Sequence, residues 1–185
     1  MDTPNGLGCT IWFTGLPCSG KTTLAQLLLP RLTAAGLTIR LLDGDEVRKQ
    51  RSPRLGFSRE DRAVHLERAA RLCQQLTQQG VVVLACFVSP YRENRQFARK
   101  LIGDRFVEIY VDAPVEVCIR RDVKGMYRKA LAGEIPHFTG ISDPYEPPEK
   151  PDLTLRTAEE TPQQSLHKFL QFLSDRLGVC LTVNS

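Results

Sequence analysis

Apolar positions along the chain change period repeatedly. Short uninterrupted apolar runs alternate with stretches in which apolar residues recur every three or four positions. The first pattern reads as buried strands and the second as amphipathic helices, and their alternation predicts an α/β fold built on a parallel sheet. Residues 10–14 form the first such run. A helix beginning near Lys21 follows, with Leu24, Leu27, Leu28 and Leu32 on one face. Pro30 lacks the N–H that a helix interior needs, which predicts a kink or an early end. Gly36 is a candidate left-handed cap. The second strand spans residues 38–42 and runs into a polar stretch, 46–57, carrying Arg48, Lys49, Arg51 and Arg54. Ser58, with acids at positions 60 and 61, has the composition of a helix start. Leu66, Ala69, Cys73 and Leu76 would form the buried face of that helix, which stops at Gly80.

Residues 81–88 make the most apolar run and predict an interior strand buried on both faces. Ser89 followed by Pro90 reads as an N-cap and first helical residue. A further strand is expected over 106–111, with a helix opening at Asp112-Ala113-Pro114. From 122 to 151 the periodicity breaks, apart from a short helix near 126–132. Glycine and proline punctuate this segment, which reads as a lid. A last edge strand is expected at 153–155, a closing helix at 163–177, and a frayed tail at 178–185. The 185 residues predict one domain. The fold class is α/β, a three-layer sandwich with a mostly parallel sheet, helices on both faces, and a lid.

Composition narrows the field. Apolar residues make up 42% and charged residues 25%, enough for a real core. No apolar run is long enough to cross a bilayer, so no membrane partner is expected. Residues 1–6 do not read as a signal peptide. A net charge of +4, with no basic tract interleaved with aromatics, gives no reason to expect nucleic acid. The six cysteines form no C-x-x-C pair. Cys73, Cys86 and Cys118 sit in apolar segments and read as small core residues. Reduced thiols and a cytoplasmic location are expected.

Between the first strand and its helix lies Gly15-Leu16-Pro17-Cys18-Ser19-Gly20-Lys21-Thr22, which matches G-x-x-x-x-G-K-[ST]. Glycines there let backbone N–H groups wrap phosphate oxygens, and the following helix offers its positive end. Lys21 would reach the β- and γ-phosphates and the Thr22 hydroxyl would ligate magnesium. Gly15 through Thr22, together with Thr23, are therefore the candidate ATP-binding residues of a P-loop. The second strand ends in Asp43-Gly44-Asp45, beside that loop, where carboxylates can hold a metal or accept a proton from a hydroxyl. Thr22 and Asp43 are the candidate Mg2+ ligands.

Downstream blocks resemble the adenylylsulfate kinases. They are Asp43-Gly44-Asp45-Glu46-Val47-Arg48, the block from Leu55 to Arg62, Phe87-Val88-Ser89-Pro90-Tyr91-Arg92, the block from Asp122 to Ala130, and Phe138-Thr139-Gly140-Ile141 with Asp143 to Pro148 after it. The resemblance implies ATP-dependent phosphorylation of the 3′-hydroxyl of adenosine 5′-phosphosulfate (APS), giving PAPS in sulfate activation. It implies Lys21, Asp43, Asp45 and Ser89 as catalytic residues, with Asp43 as base. Asp45, Arg48, Phe57, Arg62, His65, Leu66, Val88, Ser89, Lys124 and Phe138 would then bind APS. In that set Arg48 and Arg62 clamp the anions, Phe57 and Phe138 stack on adenine from irregular, exposed stretches, and Lys124 closes from the lid. Ser89 matches a family serine described as phosphorylated, and a positioning or capping role is favoured here over a covalent intermediate. The resemblance also implies a homodimer.

The chain departs from the family pattern in three places. Its phosphate loop reads Pro-Cys-Ser at positions 17–19. His65-Leu66-Glu67-Arg68 stands where the family has Asn-Ile-Arg-Arg, and Glu46 replaces an asparagine. Glu46 and Glu67 would add negative charge near an anionic acceptor. Two alternatives therefore stand beside APS phosphorylation: a kinase of this fold acting on another hydroxyl acceptor, and a nucleotide-binding regulatory protein without turnover.

Overall fold

The computed structural model describes residues 8–177, so the tail expected at 178–185 lies outside the described residues. Among the described residues five parallel strands form one sheet in the order β2-β3-β1-β4-β5: β1 Cys9–Thr14, β2 Ile39–Asp43, β3 Val82–Cys86, β4 Phe106–Asp112 and β5 Leu153–Arg156. The register is continuous. Ile11 lies opposite Leu84 on one side and Val107 on the other.

The helices are α1 Lys21–Ala34, α2 Gly44–Arg51, α3 Arg59–Gln78, α4 Arg92–Ile102, α5 Val115–Arg121, α6 Met126–Leu131 and α7 Pro162–Leu177. Strand side chains alternate between the two faces of a sheet. Ile11, Phe13, Val82 and Leu84 therefore pack with Leu24 and Leu28 of α1 and Phe169 and Leu173 of α7. Trp12, Val83 and Ala85 pack with Leu66, Ala69 and Cys73 of α3 and Ala98 of α4. The result is the expected α–β–α sandwich. The strand predicted at 81–88 is an interior strand, buried throughout. Among the described residues five cysteines are free. Cys9, Cys73, Cys86 and Cys118 are buried among apolar side chains, and burial pushes the thiols of Cys73 and Cys86 up to about 12.

Several expectations are corrected. α1 does not end at Pro30 but continues to Ala34. Pro30 and Gln26, whose carbonyl loses its partner, are both exposed, so water can satisfy it. Burial of Leu24, Ala25, Leu28 and Leu32 holds both halves of the helix on the sheet. Gly36 does cap it, at φ +78, with Leu37 N–H bonded to Leu32 O and Gly36 N–H to Thr33 O. α2 occupies a stretch that patterning shows only as polar. Its single buried residue is Val47, and the Asp43 side chain caps it by accepting from Asp45 N–H at 3.0 Å. Ser58 caps α3 as expected, accepting from Asp61 N–H.

Ser89 does not cap a helix. α4 starts at Arg92, and Ser89 is left-handed at φ +40. Its hydroxyl is engaged with Trp12 Nε1 (3.1 Å) and Thr14 Oγ1 (2.9 Å) instead, which fixes it to β1 rather than to the helix that follows.

The segment between α5 and β5 carries α6 and a small core of its own: Ala113, Cys118, Tyr127, Ala130 and Phe138. Phe138 is 8% exposed, with its ring edge-on to Tyr127, contrary to the expected exposed position. Among the described residues no helix is long and apolar enough to cross a membrane.

Candidate active site

β1 lies between β3 and β4, so the loop at its carboxyl end opens where the strand order turns back, the usual ligand position in such sheets. Residues 15–20 form that loop. Gly15 has φ +149, and a Cβ there would lie 2.4 Å from Val111 O, so only glycine fits. Gly20 is left-handed and precedes α1, whose first-turn N–H groups face the loop without a side-chain cap. Cys18 also adopts positive φ, at +60, unusual for a residue with a Cβ.

Lys21 is buried beneath this loop. Its ammonium donates to Gly15 O (2.9 Å), Leu16 O (2.6 Å) and Ser19 Oγ (3.4 Å). Burial lowers the Lys21 pKa to about 8. Thr22 Oγ1 donates to Asp43 Oδ2 at 3.1 Å, while Asp43 Oδ1 caps α2. Asp45 Oδ2 lies 2.7 Å from Lys124 Nζ, which joins the end of β2 to the segment after α5. These groups line one cavity of about 690 Å³.

The cavity brings together Pro17, Cys18, Gly20, Lys21, Thr22, Thr23, Asp43, Asp45, Phe57, Arg62, Val88, Lys124 and Phe138 from the sequence-derived set. Phe57 is half exposed. The guanidinium carbons of Arg48 and Arg62 lie 4.6 and 5.4 Å from its ring centre. Arg62 is buried and donates to Phe57 O (2.9 Å) and to His137 O, tying the start of α3 to the segment after α6.

Gly15, Leu16, Ser19, Arg48, His65, Leu66 and Ser89 are not among the residues that line the cavity. Arg48 donates to Gly56 O at 2.8 Å. His65 is buried against Phe87 with Nδ1 3.3 Å from Ser52 Oγ. Burial, reinforced by Arg48, Arg68 and Arg62, lowers its pKa to about 4, so it is neutral at pH 7. The anions that set this chain apart also lie outside. Glu67 pairs with Arg71 at 2.8 Å and Glu46 with Lys49 at 3.3 Å, on exposed helix faces.

Part of the cavity wall was not marked by sequence motifs. Arg121 donates from Nη1 to Ser19 O (3.2 Å) and Thr157 Oγ1 (3.1 Å), bridging the phosphate loop to the end of β5. Thr157, Glu160, Pro162 and Ser165 continue this wall. Thr157 directly follows the carboxyl end of a parallel strand, and that position alone was the available signal.

The chain matches the family model described as adenylylsulphate kinase over residues 7–156. It is 50% identical to an adenylyl-sulfate kinase of Halothermothrix orenii over 172 residues, 93% of this chain and 92% of that one. An adenylyl-sulfate kinase of a Synechococcus species is 51% identical over 166 residues, 90% of this chain and 94% of that one. The solved structure of the Mycobacterium tuberculosis APS kinase in complex with AMPPNP and APS superposes with a TM-score of 0.86 at 41% identity. That match covers 90% of this chain and 98% of the solved one.

Proposed function

The chain belongs to the adenylylsulphate kinase family, and from that premise we propose that it transfers the γ-phosphoryl group of ATP to the 3′-hydroxyl of APS, yielding PAPS and ADP. The observation that carries this reading is a single cavity. It holds Lys21, Thr22 and Asp43 together with the flat, cationic wall of Phe57, Arg62 and Phe138.

In this reading the triphosphate lies along the loop N–H groups, and the Lys21 ammonium leaves the carbonyls of Gly15 and Leu16 for phosphate oxygens. The adenine of ATP takes the lobe walled by Arg121, Thr157 and Pro162. The adenosine of APS takes the lobe at Phe57 and Phe138, with Arg62 supporting that wall and Lys124 supplying charge from the lid. The 3′-oxygen attacks the γ-phosphorus, the bond to the β–γ bridging oxygen breaks, and Asp43 receives the hydroxyl proton. Loop amides and Lys21 stabilise the charge that develops on the transferred group. Asp45 orients the acceptor.

The donor set also suits Mg2+. A hydroxyl and a carboxylate 3.1 Å apart, Thr22 and Asp43, are hard oxygen ligands that leave room for phosphate and water. When bound, the ion would neutralise β- and γ-phosphate charge. Ser89, its hydroxyl bonded to Trp12 and Thr14, acts as a positioning residue.

An ADP-release assay with ATP, Mg2+ and APS tests the reading, with Asp43→Ala alongside. Release that requires APS, and a loss of at least about 100-fold in Asp43→Ala, are expected. ATP binding without acceptor-dependent release would overturn the kinase reading, and undiminished turnover in Asp43→Ala would overturn the base assignment.

A further inference from the structure

Thr139 carries a buried polar atom that the fold does not use. The residue is 2% exposed, its Oγ1 has no hydrogen-bond partner among the described residues, and it lines the same cavity as Lys21 and Asp43. Few native groups are left in this state, because an unmade bond in the interior is costly.

The position is tightly built. Phe138 N–H donates to Ser142 Oγ at 2.8 Å and Gly140 N–H to Asp143 O at 2.8 Å. Gly140 has φ +92, and a Cβ there would lie 2.9 Å from Leu16 Cδ2, so the turn is pressed against the phosphate loop. A β-branched side chain on such a turn has little rotamer freedom with which to seek another partner.

We propose that the Thr139 hydroxyl is a specificity contact for the acceptor, hydrogen-bonded to a polar atom of its adenosine moiety. This inference rests on the kinase reading above. The acceptor side is indicated because Thr139 follows Phe138 and His137, and the His137 carbonyl is held by Arg62, which also holds the Phe57 carbonyl. A hydroxyl both donates and accepts, so it suits a ring nitrogen or an amino group of the base. A site with a buried group waiting for such a partner discriminates against acceptors that lack it.

Thr139→Val removes the hydroxyl at constant shape, and Thr139→Ser keeps it. Two measurements with opposite expectations separate a ligand contact from a structural one. The melting temperature of ligand-free T139V should equal or exceed that of the wild type, because an unpaired polar group has been removed. The Kd and KM for APS should rise about tenfold in T139V, the worth of one buried hydrogen bond. The Kd for a non-hydrolysable ATP analogue should stay within about twofold, and T139S should recover most of the lost APS affinity. Unchanged APS affinity in T139V, a loss confined to the ATP analogue, or a lowered melting temperature would each overturn the contact. Wild-type protein run in parallel keeps the two claims apart. No APS turnover by the wild type removes the kinase reading and the contact with it, whereas normal wild-type turnover with an unaffected T139V removes the contact alone.

Discussion

Replacing Arg95 with methionine should be among the most destabilising single changes near the site. Arg95 is 3% exposed, on α4. Its Nε lies 2.9 Å from Glu108 Oε1, and its two other nitrogens donate at 2.6 Å to Ser89 O and Glu146 O. R95M keeps much of the apolar stem and removes all three polar contacts. Glu108 is 7% exposed and would retain only Arg99 Nη2, at 3.5 Å. Breaking a buried pair from one side costs about 3–5 kcal/mol, mostly the price of the lone charge. The Glu146 carbonyl is in a half-buried segment that water can reach, so we take about 4 kcal/mol as the total. For a domain of this size that is a fall of roughly 10 °C in melting temperature. Urea unfolding with an unchanged m-value is the assay. The double variant R95M/E108L should recover at least half of the loss, since no unpaired charge stays buried and Arg99 keeps Asp152 at 2.7 Å. A loss below about 1 kcal/mol in R95M, or a double variant as unstable as the sum of the singles, would refute this reasoning.

Three further outcomes are expected. His65 is held neutral with a folded pKa of about 4 against 6.5 for the free side chain. The unfolded chain therefore binds the extra proton first, and stability present above about pH 6.5 is lost as pH falls toward 4, by at most about 3 kcal/mol. His65→Gln should flatten that slope in urea unfolding between pH 4 and 7, and an unchanged slope would contradict the assignment. The Lys21 pKa of about 8 in the free protein means that a nucleotide, by favouring the ammonium, takes up a proton above that pH. The affinity for a non-hydrolysable ATP analogue should then weaken past pH 8, by up to about tenfold per unit, with proton uptake visible as a buffer-dependent binding heat. Glu67→Gln and Glu46→Gln should change the KM for APS by less than about twofold and stability by less than about 0.5 kcal/mol, since both carboxylates face solvent. A larger gain in APS affinity would show that their charge reaches the acceptor.

Strands β1, β3 and β4, the phosphate loop and the cap at Gly36 were legible because each depends on local chemistry: an uninterrupted apolar run, a glycine demanded by positive φ, a hydroxyl or carboxylate before a helix. α2 was hidden because only Val47 of it is buried, and because Asp43 drew attention as a chemical group rather than as a cap. Ser89 before Pro90 has every local mark of an N-cap. Trp12 and Thr14 overrule them from more than seventy residues away. Phe138 reads as exposed until Tyr127 is folded beneath it.

Glu67 neighbours Arg62 and His65 in sequence but lies on the other face of their helix. Successive residues on a helix are turned by about 100°, so Arg62, His65, Leu66 and Ala69 face inward while Glu67 and Arg71 face out. The part of the wall at Arg121 and Thr157 exists only once β5 is placed beside β4, and no motif announces it.

The central proposal is that this cavity transfers the γ-phosphoryl group of ATP to the 3′-oxygen of APS and releases ADP. The most direct measurement is a product analysis of a single reaction with ATP, Mg2+ and APS, by phosphorus NMR with parallel ADP quantification. The account predicts one new 3′-phosphomonoester on the sulfated nucleotide for each ADP formed, with none in the Lys21→Met protein. ADP formed without that phosphomonoester, or no ADP formed when APS is present, would contradict it.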